Sequence, residues 1–477
     1  MSRRIPEEEM VTRLNLAVPM RVHVVGVGGA GMSAIAEVLA TMGHRVSGSD
    51  LKASAGLGRL IALGVEVSIG HDASHVAGVD IVTRSTAIPD ANPECLKAVE
   101  QGIPLLSRAE MLGSITRLRR TVAVAGTHGK TTTSSMLALI LRRAGLHPSF
   151  IIGGDVNEIG TGASWDTGDL FVVEADESDG SFLRLEPQLA VVTNVDPDHL
   201  EHHGGFDALR SAFDDFVCGV KGPVVIGVDD REGAALAARS RQTGVDIHTI
   251  GTTEGADWMI RELRESWEGV GFVLDGPQEC LSVTLPVPGL HNARNAAAAM
   301  VLALMAGADS NAIVEALSRF GGVARRFEHR GLVGGVTLVD DYAHLPAEVV
   351  AAVRAGRTGG FDRLVAVFQP HRFSRTEALW SSFGRAFDGV DLLFVTDVYP
   401  SGELPRRGVT GHLVVDAVRR DLPGLDVRYA ARRADLIEAL VGELRSGDLC
   451  LTMGAGDLTS VPTELWEQLA TSGDRGG

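Results

Sequence analysis

Two glycine-rich loops, each set between an apolar run and a helical stretch, constrain this chain more than any other feature. The first follows Val22-His23-Val24-Val25 and reads Gly26-Val27-Gly28-Gly29-Ala30-Gly31. The second follows Val122-Ala123-Val124-Ala125 and reads Gly126-Thr127-His128-Gly129-Lys130-Thr131-Thr132. Strand, glycine turn and helix in that order form the βα unit of a parallel sheet. The alternation continues along the chain. Residues 45–49, 81–82, 103–105, 170–173, 189–193 and 224–227 read as strands, as do 336–339, 363–368, 392–396 and 449–452. Helices are expected to about Met42, from about Thr131 to Ala144, and around 295–306 and 311–319.

The fold class expected is α/β with mostly parallel sheets. At about 100–200 residues per domain, 477 residues make two to four domains. The stretch Gly321-Gly322-Val323-Ala324-Arg325-Arg326 reads as a hinge. The expected domains are 1–117, 118–322 and 323–477: Rossmann-like, P-loop ATPase-type and Rossmann-like.

A net charge of −17 argues against a nucleic-acid partner, whose footprint is clustered Lys and Arg. The longest apolar run, 296–307, is too short for a membrane span of about 20 residues. Residues 1–14 are charged and lack the apolar core of a secretory signal, so none is expected. Cys95, Cys218, Cys280 and Cys450 are scattered without a CxxC pair, which fits a reducing compartment and a cytoplasmic protein.

Lysines are few, namely Lys52, Lys97, Lys130 and Lys221, so the one in the second loop stands out. Backbone amides there converge on a phosphate, Lys130 can bridge terminal phosphates and the Thr131 hydroxyl can bind magnesium. The loop is shorter than the usual G-x-x-x-x-G-K-[ST], since its first glycine sits two places late. An incidental Gly-Lys-Thr turn is the bland alternative. Glu174 ends the strand 170–173 and can hold magnesium as a Walker B carboxylate does, or merely close a strand. Asp176, Glu177 and Asp179 behind it read mostly as solvated or structural. His199, in a segment with Asp196, Asp198, His202 and His203, is a candidate second metal ligand, although no HExxH spacing supports a zinc protease. The first loop, with Asp50 further on, is a dinucleotide fingerprint. Its physics is that of a diphosphate on a helix N-terminus, so NAD is only one candidate. Arg372 and Arg375, after the strand ending at Phe368, suit a carboxylate or phosphate.

Taken together, residues 126–132, 174–179, 194–204, 289–295 and 340–344 stand in the order and spacing of the Mur ligases. The resemblance runs from about Val22 to Thr459 and is strongest to the branch that adds L-alanine. It implies ATP, Mg2+, UDP-N-acetylmuramic acid and L-alanine, and a place in peptidoglycan precursor synthesis. It implies that Gly126, Thr127, His128, Gly129, Lys130, Thr131 and Thr132 hold ATP, with Asn292 and Asn295 at the base, Arg326 at the phosphates and Asp341 at the ribose. Thr131, Glu174 and His199 would hold metal. Gly26, Gly28, Gly29, Gly31, Asp50, Ser85 and Thr86 would take the UDP-sugar, and Arg372 and Arg375 the acyl substrate, with His344 nearby. The catalytic set is then Lys130, Glu174, His199, His344 and Arg375, in a monomer or weak homodimer.

Two departures from the pattern stand out. Several Mur ligases carry a carbamylated lysine where this chain has Phe213, and the alanine-adding branch typically lacks it. Leu345 occupies a position where a second histidine is expected. The rival readings are a ligase that joins a tripeptide to the same sugar, an NAD-dependent oxidoreductase and a nucleotide switch without ligase activity.

Overall fold

A computed structural model describes residues 15–53, 55–178, 180–198, 203–277 and 279–473. The chain divides into two compact units. One comprises Met1–Arg261, Val273–Val283 and Arg294–Phe320, and the other Glu262–Phe272, Thr284–Ala293 and Gly321–Gly477. Three sheets carry the fold.

The first sheet has five parallel strands, β1 (Arg21–Val25), β2 (Arg45–Asp50), β3 (Glu66–Ile69), β4 (Ile81–Arg84) and β5 (Leu105–Ser107), in the order 3-2-1-4-5. The order reverses between β1 and β4, so a crevice opens at their carboxyl ends. β5 starts later than the run 103–105 suggests. Pro104 has no N–H to donate, so the chain enters the ladder only after it.

The second sheet contains β6 (Arg120–Ala125), β7 (Ser149–Val156), β8 (Thr161–Ser164), β9 (Leu170–Glu174), β10 (Leu189–Val192), β11 (Val224–Gly227), β12 (Ile247–Gly251), β13 (Trp258–Ser266), β14 (Gly269–Asp275) and β15 (Cys280–Leu285). Its order is 15-14-13-12-11-10-6-9-7-8. β6, β9 and β10 carry the apolar runs 122–125, 170–173 and 189–192 because helices cover both faces of a parallel sheet. Val124 pairs with Glu174 and Ala125 with Val192, so the strand ends on either side of β6 surround the second glycine loop.

The third sheet, β16 (Glu328–Val333), β17 (Val336–Asp341), β18 (Arg363–Phe368), β19 (Leu392–Val395), β20 (Asp426–Tyr429) and β21 (Asp448–Met453), has the order 16-17-21-18-19-20. It is parallel except for β16. Its core includes Phe368, Phe387, Leu393 and Leu451.

The helix at Leu290–Ala306 begins before the apolar run that marks it in sequence. Gly289, at φ +98°, turns the chain, and the first helical turn tolerates the polar His291 and Asn292. The four cysteines form no disulfide. Among the described residues, no helix is long and apolar enough to cross a membrane.

Candidate active site

The second glycine loop is held from both ends. Gly126 and Gly129 adopt φ of +125° and +79°. A Cβ on Gly126 would overlap Thr193 Oγ1, and one on Gly129 would overlap Asn295 Oδ1, so only glycine fits either place. The residues after β10 brace the turn. His128 N–H donates to Asn194 Oδ1 at 2.9 Å, and Asn194 Nδ2 and Thr193 Oγ1 both donate to His128 O, at 3.0 and 2.6 Å. Asp196 N–H donates to Thr127 Oγ1 at 2.9 Å, and the Asp196 carboxylate lies 3.1 Å from His128 Nε2. The helix Lys130–Arg143 starts from Gly129 with no side-chain cap, which leaves its first amides for an anion.

Lys130 Nζ donates to Gly126 O at 2.7 Å and to Glu177 Oε1 at 3.0 Å, and sits 2.8 Å from Glu177 Oε2. Glu177 is 1% exposed, and burial pushes its carboxyl up to about 7 against the pull of Lys130. Glu174 divides its oxygens. Oε1 accepts from Thr131 Oγ1 at 3.1 Å and Oε2 from Gly153 N–H at 2.8 Å. Thr131 and Glu174 therefore present adjacent hard oxygens, the donor chemistry that suits magnesium. His199 lies outside the described residues.

The first glycine loop faces the same region. The helix Ala30–Thr41 begins at Gly29, again without a side-chain cap. Gly26 and Val27 amides donate to Ser49 O, and Gly28 N–H donates to Asp50 Oδ2 at 2.9 Å. The Asp50 carboxylate thus holds the loop itself, whereas an NAD site would direct it at a ribose. Arg108 lies over Gly31, so close that a Cβ there would stand 2.8 Å from its Nη1. Gly28, Gly31, Arg108, Glu174 and Asp176 line one cleft of about 610 Å³, within the range of ligand sites. Ser85 packs against Gly26 across the β1–β4 crevice. Thr86 lies with it in a neighbouring depression that also includes Arg84 and Ser107.

The second unit gathers a polar cluster at the carboxyl ends of β17 and β18. Asp341 accepts from Phe327 and Ala343 amides at 2.7 and 2.6 Å, and burial raises its carboxyl to about 6 despite Arg326. Arg326 lies over the Tyr342 ring at 5.1 Å. The His344 and His371 rings are 5.6 Å apart. Arg375 Nη1 lies 3.0 Å from His371 Nδ1. A guanidinium only donates, so that nitrogen is unprotonated. Burial first, then His344, Arg375 and Arg372, lower the His371 pKa to about 3. Arg372 holds φ +64°, and its buried Nε has no hydrogen-bond partner. A buried orphan donor on a guanidinium fits an incoming carboxylate or phosphate oxygen. Leu345 is 5% exposed, and its N–H, like that of His344, donates to Glu348 Oε2. Asn292 Nδ2 donates to Pro288 O at 2.7 Å.

Sequence reasoning missed three residues. Glu177 looked like part of a solvated acidic run, and only its burial against Lys130 marks it out. Asn194 lay inside a recognised segment with no role of its own. Arg108 carried no signal, because it reaches the cleft through the fold. Phe213 is fully buried, edge-on to Phe182 at 5.5 Å between ring centres.

Three family models match in series: the Mur ligase family catalytic domain over residues 21–120, the Mur ligase middle domain over 124–303 and the Mur ligase glutamate ligase domain over 325–456. The chain belongs to the Mur ligase family. It is 46% identical over 458 residues to the UDP-N-acetylmuramate–L-alanine ligase of Kineococcus radiotolerans, covering 94% of this chain and 96% of that one. The same-named ligase of Geobacter sulfurreducens is 43% identical over 443 residues, covering 92% and 95%. Among solved structures, the UDP-N-acetylmuramate–alanine ligase of Thermotoga maritima superposes with a TM-score of 0.79 at 28% identity, covering 95% of this chain and 100% of that one. A murein peptide ligase of Psychrobacter arcticus shares the fold, with a TM-score of 0.69 at 23% identity, covering 94% and 99%.

Proposed function

We propose that this enzyme joins L-alanine to the lactyl carboxylate of UDP-N-acetylmuramic acid at the expense of ATP, in peptidoglycan precursor synthesis. One observation carries the reading furthest: the first glycine loop and Glu174 line a single cleft. A UDP-sugar lying on the uncapped start of the helix Ala30–Thr41 can direct its other end toward Glu174 and the phosphate loop. That arrangement serves a carboxylate about to be phosphorylated and has no use in hydride transfer.

A carboxylate oxygen attacks the γ-phosphorus of ATP, the bond to ADP breaks and an acyl phosphate forms. The amine of alanine then attacks the acyl carbon. The tetrahedral adduct collapses to the amide and expels phosphate. Lys130 and the loop amides would balance charge on the moving phosphoryl group. Thr131 and Glu174 would hold magnesium, which when bound neutralises phosphate charge. Arg372 and Arg375 would grip the acyl group, with His344 beside His371. Asn292 and Asn295 would meet the base, Arg326 the phosphates and Asp341 the ribose. Segments 1–117, 118–322 and 323–477 would take UDP-sugar, ATP and amino acid respectively. The reaction would run in the cytoplasm.

The deciding experiment incubates the protein with UDP-N-acetylmuramic acid, ATP and Mg2+ and adds single amino acids or the murein tripeptide. Release of ADP that depends on L-alanine is the expected result. Release that depends on the tripeptide alone, or that ignores the UDP-sugar, would refute it.

A further inference from the structure

A buried cluster of histidines and one glutamate lies behind the first glycine loop, and the proposed reaction makes no use of it. Glu94 is fully buried near the start of the helix Pro93–Gln101. Its Oε1 lies 2.6 Å from His75 Nδ1 and 3.6 Å from His23 Nε2. Its Oε2 accepts from Ser49 Oγ at 2.6 Å and lies 3.0 Å from His71 Nδ1. No lysine or arginine is paired with this carboxylate among the described residues, so its neighbours are imidazoles.

His23 is the telling member. It is 1% exposed, on β1, with Nδ1 2.9 Å from Ser47 Oγ. That bond fixes the ring and turns Nε2 toward Glu94, yet Nε2 has no hydrogen-bond partner. An imidazole oriented through one nitrogen, with the other buried and unpartnered beside a carboxylate, is the arrangement of a metal-binding histidine. One donor atom from each of His23, His75 and Glu94 falls within 4.8 Å of the others. Ser49 and His71 occupy the second carboxylate oxygen, and Oε1, which also accepts from Asp72 N–H at 3.3 Å, is the one that faces His23 and His75.

We propose that His23, His75 and Glu94 form a binding site for a borderline divalent cation of the zinc type, with a fourth position open to water. Two imidazoles and one carboxylate select such a cation over magnesium, which prefers oxygen ligands. His75 is the most exposed of the three and marks the entry path. Ser49 makes the site consequential. Its hydroxyl donates to Glu94, and its carbonyl accepts from the Gly26 and Val27 amides. A bound cation therefore stiffens the floor of the first glycine loop while standing outside the chemical steps.

The test uses the full chain, stripped with a chelator and titrated with Co2+ alone. One equivalent should bind with the visible absorption of a tetrahedral site, and Zn2+ should displace it and raise Tm. His75→Ala changes a partly exposed side chain, so the fold, followed by circular dichroism, should survive. Its Co2+ affinity should fall at least about tenfold. Should that variant fail to fold, His75→Gln provides the same comparison. Absence of the absorption, its persistence in a folded His75 variant, or a thiolate charge-transfer band pointing to cysteine ligands would overturn the proposal.

Discussion

Glu177 meets Lys130 at 2.8 Å from a position that is 1% exposed, so the phosphate-loop lysine already has a buried carboxyl partner before any nucleotide arrives. ATP must compete with that carboxylate for the ammonium. Lys130→Ala should lower kcat by about a thousandfold or more, as loss of a phosphate-stabilising cation does. The fold should survive, because Glu177, already pushed up to about 7, can take a proton. A carboxyl with a raised folded pKa is stabilising when neutral, and that contribution is lost as pH rises through the folded value. Losing Lys130 raises it further. The Tm deficit of the variant should therefore be larger at pH 8 than at pH 6, and a deficit independent of pH would contradict the pairing.

Glu174 ties Thr131 to Gly153 through its two oxygens. Glu174→Gln preserves the shape and removes the charge. The Mg2+ concentration for half-maximal rate should rise at least about tenfold, since a charge-assisted contact is worth about 1.5–3 kcal/mol. Rate measurements at fixed ATP and varied Mg2+ read this directly.

Arg372→Lys keeps a side chain at φ +64° and keeps the positive charge, so backbone strain is matched. Only the planar fork is lost, along with the Nε that has no partner in the protein. A fall of about 10–100-fold in kcat/KM for the UDP-sugar is expected from one charge-assisted bond. An unchanged value would remove Arg372 from the acyl-binding role.

His371 is neutral in the fold, with its pKa lowered to about 3 by burial and by His344, Arg375 and Arg372. A depressed folded pKa gives stability that is present above the ordinary histidine value and lost as pH falls toward 3. Denaturant midpoints should drop between pH 7 and pH 5, and His371→Gln should flatten that slope. Equal slopes in the two proteins would count against a buried neutral ring.

The sequence announces whatever repeats a local rule. Both glycine loops, the buried strands beside them and Glu174 at a strand end follow from short-range pattern, and the structure brings the first loop and Glu174 to one cleft. The meander β13–β15 went unread although β15 alternates buried and exposed residues. Its period-two signal is short and sits among charged residues. Glu177 could not be told from Asp176 in sequence, because burial is decided by what packs above a loop. His23, His71, His75 and Glu94 lie on different elements of one sheet layer, and no spacing rule joins them. His199 belongs to a segment outside the described residues.

Phe213 lies edge-on against Phe182, at the position where the family resemblance alone would lead one to expect a carbamylated lysine. An aromatic ring in that place has no nitrogen to carboxylate. The rate of this enzyme should accordingly be indifferent to degassing or to added bicarbonate, and wall synthesis through it would run at the same pace in a carbon dioxide-starved cell.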